Sequence, residues 1–427
     1  MFVFNPLTND ARVFREAGAL ARQGHTVDVI GWYRRGLDEV EARDGFTIHR
    51  VRAEPPHKRL ARIAAEGYRR LGLHRGVNGM TERMARGEAQ PVAAQSGWPG
   101  PQKRRSLLYR ELMLRDWHRR ALRLAKRLGP ADVYHAHDLN TLPVAERAAR
   151  WADARLIYDS HEIYLERWLV TPLERRIWRR IERRLIGRAD EVITVCDPIA
   201  DELGRRYGIE KPTVLLNCPD LAAAVPAGSS GRLDELAQLG GSDEPIVLYQ
   251  GMIQPERGLE DLVEAAKSLD RGVVVMVGRG VWMSKLQEEI DSSGLSERVR
   301  MTGPVPPGEL PSYTAGATIG VAPFDGKSLN SRWTSPNKLF EYLAAGLPVV
   351  ATRLPVLESV VERYEVGLLC EPADPASLAA AINRLLADRE LYERLRVNAI
   401  EASKVFNWDQ ESKKLLDVYG RLGGARS

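Results

Sequence analysis

The 427-residue chain is short of cysteine: Cys196, Cys218 and Cys370 are its only three, widely spaced and odd in number. They make neither a disulfide framework nor a metal-ligand cluster, and a cytoplasmic setting is the simplest expectation. Apolar runs of 18 residues or more are absent, which excludes an ordinary transmembrane helix. The opening Met1-Phe2-Val3-Phe4-Asn5-Pro6 has no basic stretch ahead of an apolar core, which argues against an export signal. No Asp-x-Asp pair occurs, so a diphosphate bridged to the protein through a metal is not expected. No Gly-x-Gly-x-x-Gly follows the first strand candidate, which weakens a nicotinamide-binding reading.

What is present describes a globular protein, with 44% hydrophobic and 28% charged residues. The length exceeds one ordinary core, so two domains of roughly 200 residues are expected. The net charge of +5 is modest but unevenly placed: residues 58–127 hold eighteen Lys/Arg against five Asp/Glu. A second basic stretch interleaves Arg167, Arg175, Arg176, Arg179, Arg180, Arg183, Arg184 and Arg188 with Trp168, Leu173, Ile177, Trp178, Ile181 and Leu185. Such a segment suits an anionic membrane surface, it equally suits a solvated helix face, and RNA is a third partner it could take.

Two series of alternating strands and helices follow one another, the signature of doubly wound α/β folding. In the first, strands are expected near 1–4, 26–30, 47–51, 133–135, 156–158, 191–194 and 213–216, and helices at 11–23, 107–128, 141–151 and 172–188. Residues 76–105, rich in Gly, Pro, Gln and Arg, read as a long surface insertion. The second series has strands at 246–249, 273–277, 298–302, 319–322, 348–351 and 367–369, with helices at 259–269, 283–292, 308–314, 336–345, 375–387 and 389–402. The organisation expected is therefore a Rossmann-like domain at 1–219, a linker with a short helix at 220–244 and a second Rossmann-like domain at 245–405. A terminal helix within 406–427 would pack back across the junction.

The segment from Ser335 to Thr352 carries the most chemistry. Ser335 reads as an N-cap, Pro336 as the first helical residue and Gly346 as a left-handed stop before Pro348. The helix start at Asn337 and Lys338 offers an anion site. Glu341, a turn further in on the same face, is placed to accept hydrogen bonds from a sugar diol. After the strand ending at Tyr249, the loop Gln250-Gly-Met-Ile-Gln-Pro-Glu-Arg-Gly-Leu259 holds Arg257 ahead of a helix, a plausible phosphate cradle.

These motifs resemble the donor-binding signature of family-4 glycosyltransferases, which have the GT-B fold, two Rossmann-like domains with parallel sheets facing across a cleft. The resemblance covers nearly the whole chain outside 76–105 and is strongest from Ile246 to Tyr419. It implies a retaining, metal-independent transfer of a sugar from a UDP- or GDP-sugar to a hydroxyl acceptor, with no cofactor. By analogy Arg257 and Lys338 hold the diphosphate and Glu341 the ribose. Gly251, Gly278, Gly303, Val305, Asn337 and Leu339 lie along the donor, Gly303-Pro304-Val305 at its base. His137 would face the transferred sugar. Asp10, Arg12, Asp138, His161 and Glu162 are acceptor-side candidates, while His135 reads as a packed strand residue. His135 and His137 share one side of a strand, but no third histidine or cysteine stands near them, so no metal is expected.

The sequence departs from the family in two places. The first of two glutamates separated by seven residues is replaced by Trp333, and Met252 stands where a second basic residue often follows the loop glycine. A lipid-linked or glycan acceptor, in polysaccharide or glycolipid synthesis at the inner face of a membrane, is the expectation that the basic stretches favour; nucleic acid is not expected. A sugar-nucleotide epimerase, a phosphorylase and a non-catalytic basic scaffold remain as alternatives.

Overall fold

The computed structural model describes residues 1–54, 107–167, 170–225, 232–241 and 243–423. The expected insertion at 76–105 lies outside them. Contacts divide the chain into two compact units, one of Met1–Asp10, Leu20–Tyr158 and Arg176–Asp190, the other of Ala11–Ala19, Asp159–Arg175 and Glu191–Ser427.

Helix α1 (Ala11–Arg22) precedes β1 (Asp28–Trp32), β2 (Val40–Arg43) and β3 (Phe46–Val51), which form a sheet of order β1–β3–β2. β1 and β3 run parallel with Val29 opposite Ile48, whereas β2 and β3 form an antiparallel hairpin. That hairpin has no counterpart in the sequence reading, although its turn residues Asp44 and Gly45, at φ 47° and 85°, are the Asp-Gly pair that a tight turn demands. The strand expected at 1–4 shrinks to Phe2, which bridges in parallel to Ile30 and to Ala136. Its extension is cut off where the Asn5 side chain accepts the Leu7 N–H (2.8 Å) and turns the chain. Helix α2 (Leu107–Leu128) buries Trp117 fully, with its indole N–H donated to the Gly31 carbonyl (3.2 Å). β4 (Val133–His137), α3 (Leu142–Ala152) and β5 (Arg155–Ser160) follow, β4 and β5 being neighbours in one sheet. Helix α4 (Pro172–Leu185) turns Trp178 and Glu182 inward, where Glu182 accepts from the Tyr158 hydroxyl (3.0 Å) and Trp178 donates to Glu111 (3.1 Å).

In the second unit β6 (Glu191–Thr194), α5 (Asp197–Tyr207) and β7 (Thr213–Val214) are followed by the short α6 (Arg232–Ala237). The remaining strands, β8 (Ile246–Met252), β9 (Val273–Arg279), β10 (Val299–Gly303), β11 (Ile319–Ala322), β12 (Val349–Thr352) and β13 (Gly367–Cys370), make one parallel sheet of order β10–β9–β8–β11–β12–β13. Alternate residues feed opposite faces: Ile246, Leu248, Val273 and Val275 enter one apolar cluster, and Val247, Tyr249, Val274 and Met276 the other. The covering helices are α7 (Leu259–Ala266), α8 (Met283–Ser292), α9 (Leu310–Thr314), α10 (Leu329–Arg332), α11 (Asn337–Ala345), α12 (Pro355–Tyr364), α13 (Pro375–Ala387), α14 (Arg389–Ser403) and α15 (Trp408–Gly423). α10 and α12 are absent from the sequence reading. α15 is pinned to the segment after β7: the Trp408 N–H donates to the Pro219 carbonyl (2.8 Å), and Glu411 accepts the Leu216 N–H (2.9 Å).

Gly320 on β11 is required by packing. A Cβ there would lie 2.3 Å from the Tyr342 ring, which is fully buried against the sheet. Gly320→Ala is expected to lose about 1–3 kcal/mol of stability through overpacking, measured by urea unfolding; an unchanged midpoint would show that the ring can retreat.

Candidate active site

The glycine loop after β8 is built by backbone-to-backbone contact. A Cβ on Gly278 would lie 1.8 Å from the Gly251 carbonyl oxygen, and one on Gly258 would lie 1.5 Å from the Pro323 oxygen. Gly251 (φ 128°) and Gly258 (φ 64°) also take conformations that side chains disfavour. The loop is tied down by Ser328, whose hydroxyl donates to the Glu256 carboxylate (2.9 Å), and by Ser331, which donates to the Glu256 carbonyl (3.2 Å). Arg257 then lies with its guanidinium 5.0 Å from the Phe324 ring centre.

Lys338 comes from the first turn of α11. Its Nζ sits 3.4 Å from the Tyr249 ring centre and 5.3 Å from that of Phe324. It is 7% exposed and has no hydrogen-bond partner among the described residues. Burial, and then the nearby Arg257, hold its pKa well below the ordinary lysine value, with Glu341 opposing. A Cβ on Gly251 would stand 3.6 Å from this Nζ, so glycine there leaves the ammonium uncovered on that side. Among the described residues neither Lys338 nor Arg257 forms an ion pair. Two cations left without a carboxylate, beside a helix start, make an anion site.

The helix start differs from the expectation. Pro336, extended at φ −80° and ψ 133°, occupies the N-cap position, and no side chain caps α11. Ser335 is one residue too early: its hydroxyl is buried without a partner among the described residues. The first-turn amides are therefore not engaged by a capping side chain. The C-terminal expectation holds, with Gly346 left-handed at φ 73°.

Glu341 is partly buried one turn further in. Its carboxylate accepts from the Gln250 amide (2.5 Å), whose oxygen faces the Thr314 hydroxyl (2.8 Å). Burial raises its pKa, opposed by the Gln250 hydrogen bond, Arg15 and Lys338. A cavity of about 150 Å³ opens beside it, lined by Arg15, Gln250, Thr314 and Glu341 and by apolar residues that include Leu310 and Ala345. Gly303 (φ 80°) ends β10, and Val305 packs against the core beyond it. The sequence reading places Gln250 in the loop after Tyr249 and Thr314 at the end of a helix without a role for either; a buried glutamine at the end of an apolar strand was the available signal.

The same unit gathers Arg12, His161 and Glu162. Arg12 makes a two-pronged contact with Asp159 (2.7 and 2.8 Å), donates to the Leu215 carbonyl (2.7 Å) and pairs with Glu16 (3.0 Å). The Glu16 carboxyl is pushed up to about 8 by burial and then by Asp159, with Arg12 opposing. His161 sits 2.9 Å from Asp159. The loop beyond it is clipped by Asn330, which accepts the Ile163 N–H (2.9 Å) and donates to the Ile163 carbonyl (3.0 Å), with Glu162 at 3.5 Å. Trp333, at the end of α10, accepts the Cys196 thiol through its carbonyl (3.2 Å). Asp10, His137 and Asp138 belong to the first unit. There Asp10 accepts from Asn5 (2.6 Å), Asp138 is left-handed at φ 66°, and His137 is buried with its ring stacked on that of the equally buried His135 (4.3 Å).

Two family models match the chain: a glycosyl transferase 4-like domain over residues 10–219 and the glycosyl transferases group 1 over residues 234–402. The chain belongs to the family-4 glycosyltransferases. Curated proteins similar to this chain include D-inositol 3-phosphate glycosyltransferases, of whose length it spans little more than half in most cases. That of Acidothermus cellulolyticus is 31% identical over 258 residues, 56% of each chain, and that of Catenulispora acidiphila 29% identical over 313 residues, 68% of this chain and 72% of the relative. The match to the Xylanimonas cellulosilytica protein, 27% identical, spans 56% of this chain and 59% of that relative's length. Among solved structures, sucrose-phosphate synthase from Thermosynechococcus elongatus superposes with a TM-score of 0.74 at 20% identity, covering 100% of this chain and 98% of the other. Anabaena HepE in complex with UDP-glucose superposes at 0.69 and 15% identity, covering 98% of each. At these identities what the enzyme shares with both is the fold, two Rossmann-like domains with parallel sheets.

The unpaired lysine yields a stability test. A lysine whose folded pKa is depressed costs stability below its unfolded value near 10.5, and the penalty grows as the pH falls towards the folded value. Lys338→Met, which keeps the volume and removes the charge, is expected to raise the melting temperature of the unliganded enzyme at pH 7 and to lose that advantage towards pH 10. A variant less stable than wild type at pH 7 would contradict the assignment of Lys338 as an uncompensated cation.

Proposed function

We propose that this enzyme is a retaining glycosyltransferase that moves a sugar from a nucleoside diphosphate sugar to a hydroxyl acceptor, in cell-surface polysaccharide or glycolipid synthesis. The observation that carries the reading is the pair of unneutralised cations, Lys338 and Arg257, on one aromatic ring, with the Glu341 carboxylate one helical turn away. The two cations and the start of α11 take up the charge that grows on the departing diphosphate. Glu341 accepts from the ribose diol. Side chains meet the diphosphate charge in place of a metal, and the sequence lacks the Asp-x-Asp pair that would hold one. Departure and attack on the same face of the sugar let the leaving phosphate oxygen take the acceptor's proton, so no protein nucleophile is needed. His137 is assigned to the transferred sugar, and Asp10, Arg12, Asp138, His161 and Glu162 to the acceptor side. The complex of HepE with UDP-glucose makes UDP-sugars the first donors to test.

The acceptor is assigned to an anionic membrane surface on the inner face, as a lipid-linked glycan. None of the described helices is long and apolar enough to cross a membrane. α4 exposes Leu173 (57%) and Ile177 (36%) among the exposed Arg176, Arg179, Arg180, Arg183 and Arg184, while its glutamates 174 and 182 are buried. Each arginine near such a surface contributes about 1 kcal/mol.

A thermal-shift panel of UDP-, GDP- and ADP-sugars is expected to single out one donor, and Glu341→Ala and Arg257→Ala to lower turnover with it by about 10- to 100-fold each, the loss of a charged hydrogen bond. Wild-type turnover in both variants would overturn the roles. With anionic vesicles at low salt the enzyme is expected to sediment and to be released at high salt, as screening requires; protein left in the supernatant at low salt would remove the membrane assignment.

A further inference from the structure

We propose that Gln250 and Thr314 are positioning residues that hold the Glu341 carboxylate in the plane a ribose diol needs, and so set the enzyme's preference for ribonucleotides over 2′-deoxyribonucleotides. The proposal rests on the reading of Glu341 as the ribose ligand.

Gln250 is 2% exposed and Thr314 1%, so both polar side chains are cut off from water and depend on protein partners. The amide orientation follows from chemistry. An ionised carboxylate only accepts, so the Gln250 nitrogen must face Glu341 Oε2 (2.5 Å), which leaves the amide oxygen towards the Thr314 hydroxyl (2.8 Å). That hydroxyl also lies 2.9 Å from the Leu310 carbonyl one turn back, which fixes it on α9. The chain Thr314–Gln250–Glu341 thus runs from α9 across β8 to α11, and it holds one carboxylate oxygen. Oε1 has no protein partner among the described residues, and Glu341 lines the 150 Å³ cavity together with Gln250, Thr314 and Arg15. A vicinal diol donates two hydrogen bonds to a carboxylate only when the plane of the group is set. A single hydroxyl is far less demanding. Loss of the Gln250 restraint therefore removes the benefit of the second hydroxyl more than the affinity for the nucleotide as a whole.

The test is calorimetric binding of UDP against 2′-deoxy-UDP, and of GDP against 2′-deoxy-GDP, to the full-length enzyme. Wild type is expected to favour the ribonucleotide of the accepted pair by about tenfold, one charge-assisted hydrogen bond. Gln250→Leu and Thr314→Val are expected to bring that ratio to about twofold or less, and Thr314→Ser, which keeps the hydroxyl, to retain about tenfold. The ratio is internal to each preparation, so a fraction of misfolded protein does not change it. If Glu341→Ala abolishes the preference while Gln250→Leu and Thr314→Val keep it, the positioning role is wrong and the ribose assignment stands. If Glu341→Ala keeps the preference, or wild type shows none or binds neither pair, the ribose assignment falls and the proposal with it.

Discussion

The phenol of Tyr342 is the fixed point of the proposed nucleotide site. It is fully buried, donates towards the carbonyls of Leu248 (2.9 Å) and Val321 (3.3 Å), and accepts the Gln250 N–H (3.2 Å). One side chain of α11 thereby ties the helix to two adjacent strands at the level where β8 gives way to its loop. Lys338 and Glu341 stand four and one residues before it, so this contact fixes the backbone from which both side chains reach towards Gly251 and Gln250. Gly320 supplies the space, and the ring's hold on the β8 end in turn sets the height at which Gly251 and Gly278 meet. A helix fixed only by apolar packing could slide by a fraction of a turn at little cost; hydrogen bonds to named carbonyls allow no such freedom.

That rigidity allows an electrostatic arrangement that folding alone would not select. A buried ammonium over an aromatic face gains some cation–π stabilisation, about 1–2 kcal/mol where water is excluded. It lacks the hydrogen bonds that normally accompany burial of charge. Arg257 close by raises the penalty. Elsewhere in the same unit some cations are paired, as Arg353 is with Glu358 and Glu362. Lys338 and Arg257 have no such carboxylate among the described residues, and the proposed anionic donor would resolve both deficits together. The strain of the site and its affinity are one property seen with and without the ligand.

Legibility in the sequence followed the distance between partners. Arg257, Lys338 and Glu341 could be found because a strand–loop–helix pattern and a helix stop at Gly346 are local. The assignment of Ser335 as N-cap failed by one residue: Pro336 is itself extended, at φ −80° and ψ 133°, and carries the cap position, so the helix begins at Asn337. Gln250, Thr314 and Asn330 could not be read, since their partners lie 91, 64 and 167 residues away along the chain. The hairpin through Asp44-Gly45 was readable and passed over because its first strand begins at an exposed Val40, without an apolar face to announce it. The parallel sheet of the second unit was the plainest feature, since apolar runs buried on both faces leave little else to be.

Trp333 in place of a glutamate follows from how its loop is held. Trp333 donates its N–H to the Leu329 carbonyl (2.9 Å) and accepts through its own carbonyl from the Cys196 thiol, which burial pushes up to about 12 and so keeps protonated, a donor across the neutral range. Three residues earlier Asn330 grips both main-chain groups of Ile163. These contacts take up main-chain groups on at least one side, and none of them depends on the side chain at 333. The hydrogen bonds of residue 333 thus make no demand on the identity of its side chain. The nucleotide end, by contrast, is held through side chains, Tyr342, Gln250 and Thr314, each of which would disturb its neighbours if replaced. Under the proposed assignment, the side-chain network of Tyr342, Gln250 and Thr314 fixes the nucleotide site, while residue 333 is held through its main-chain groups.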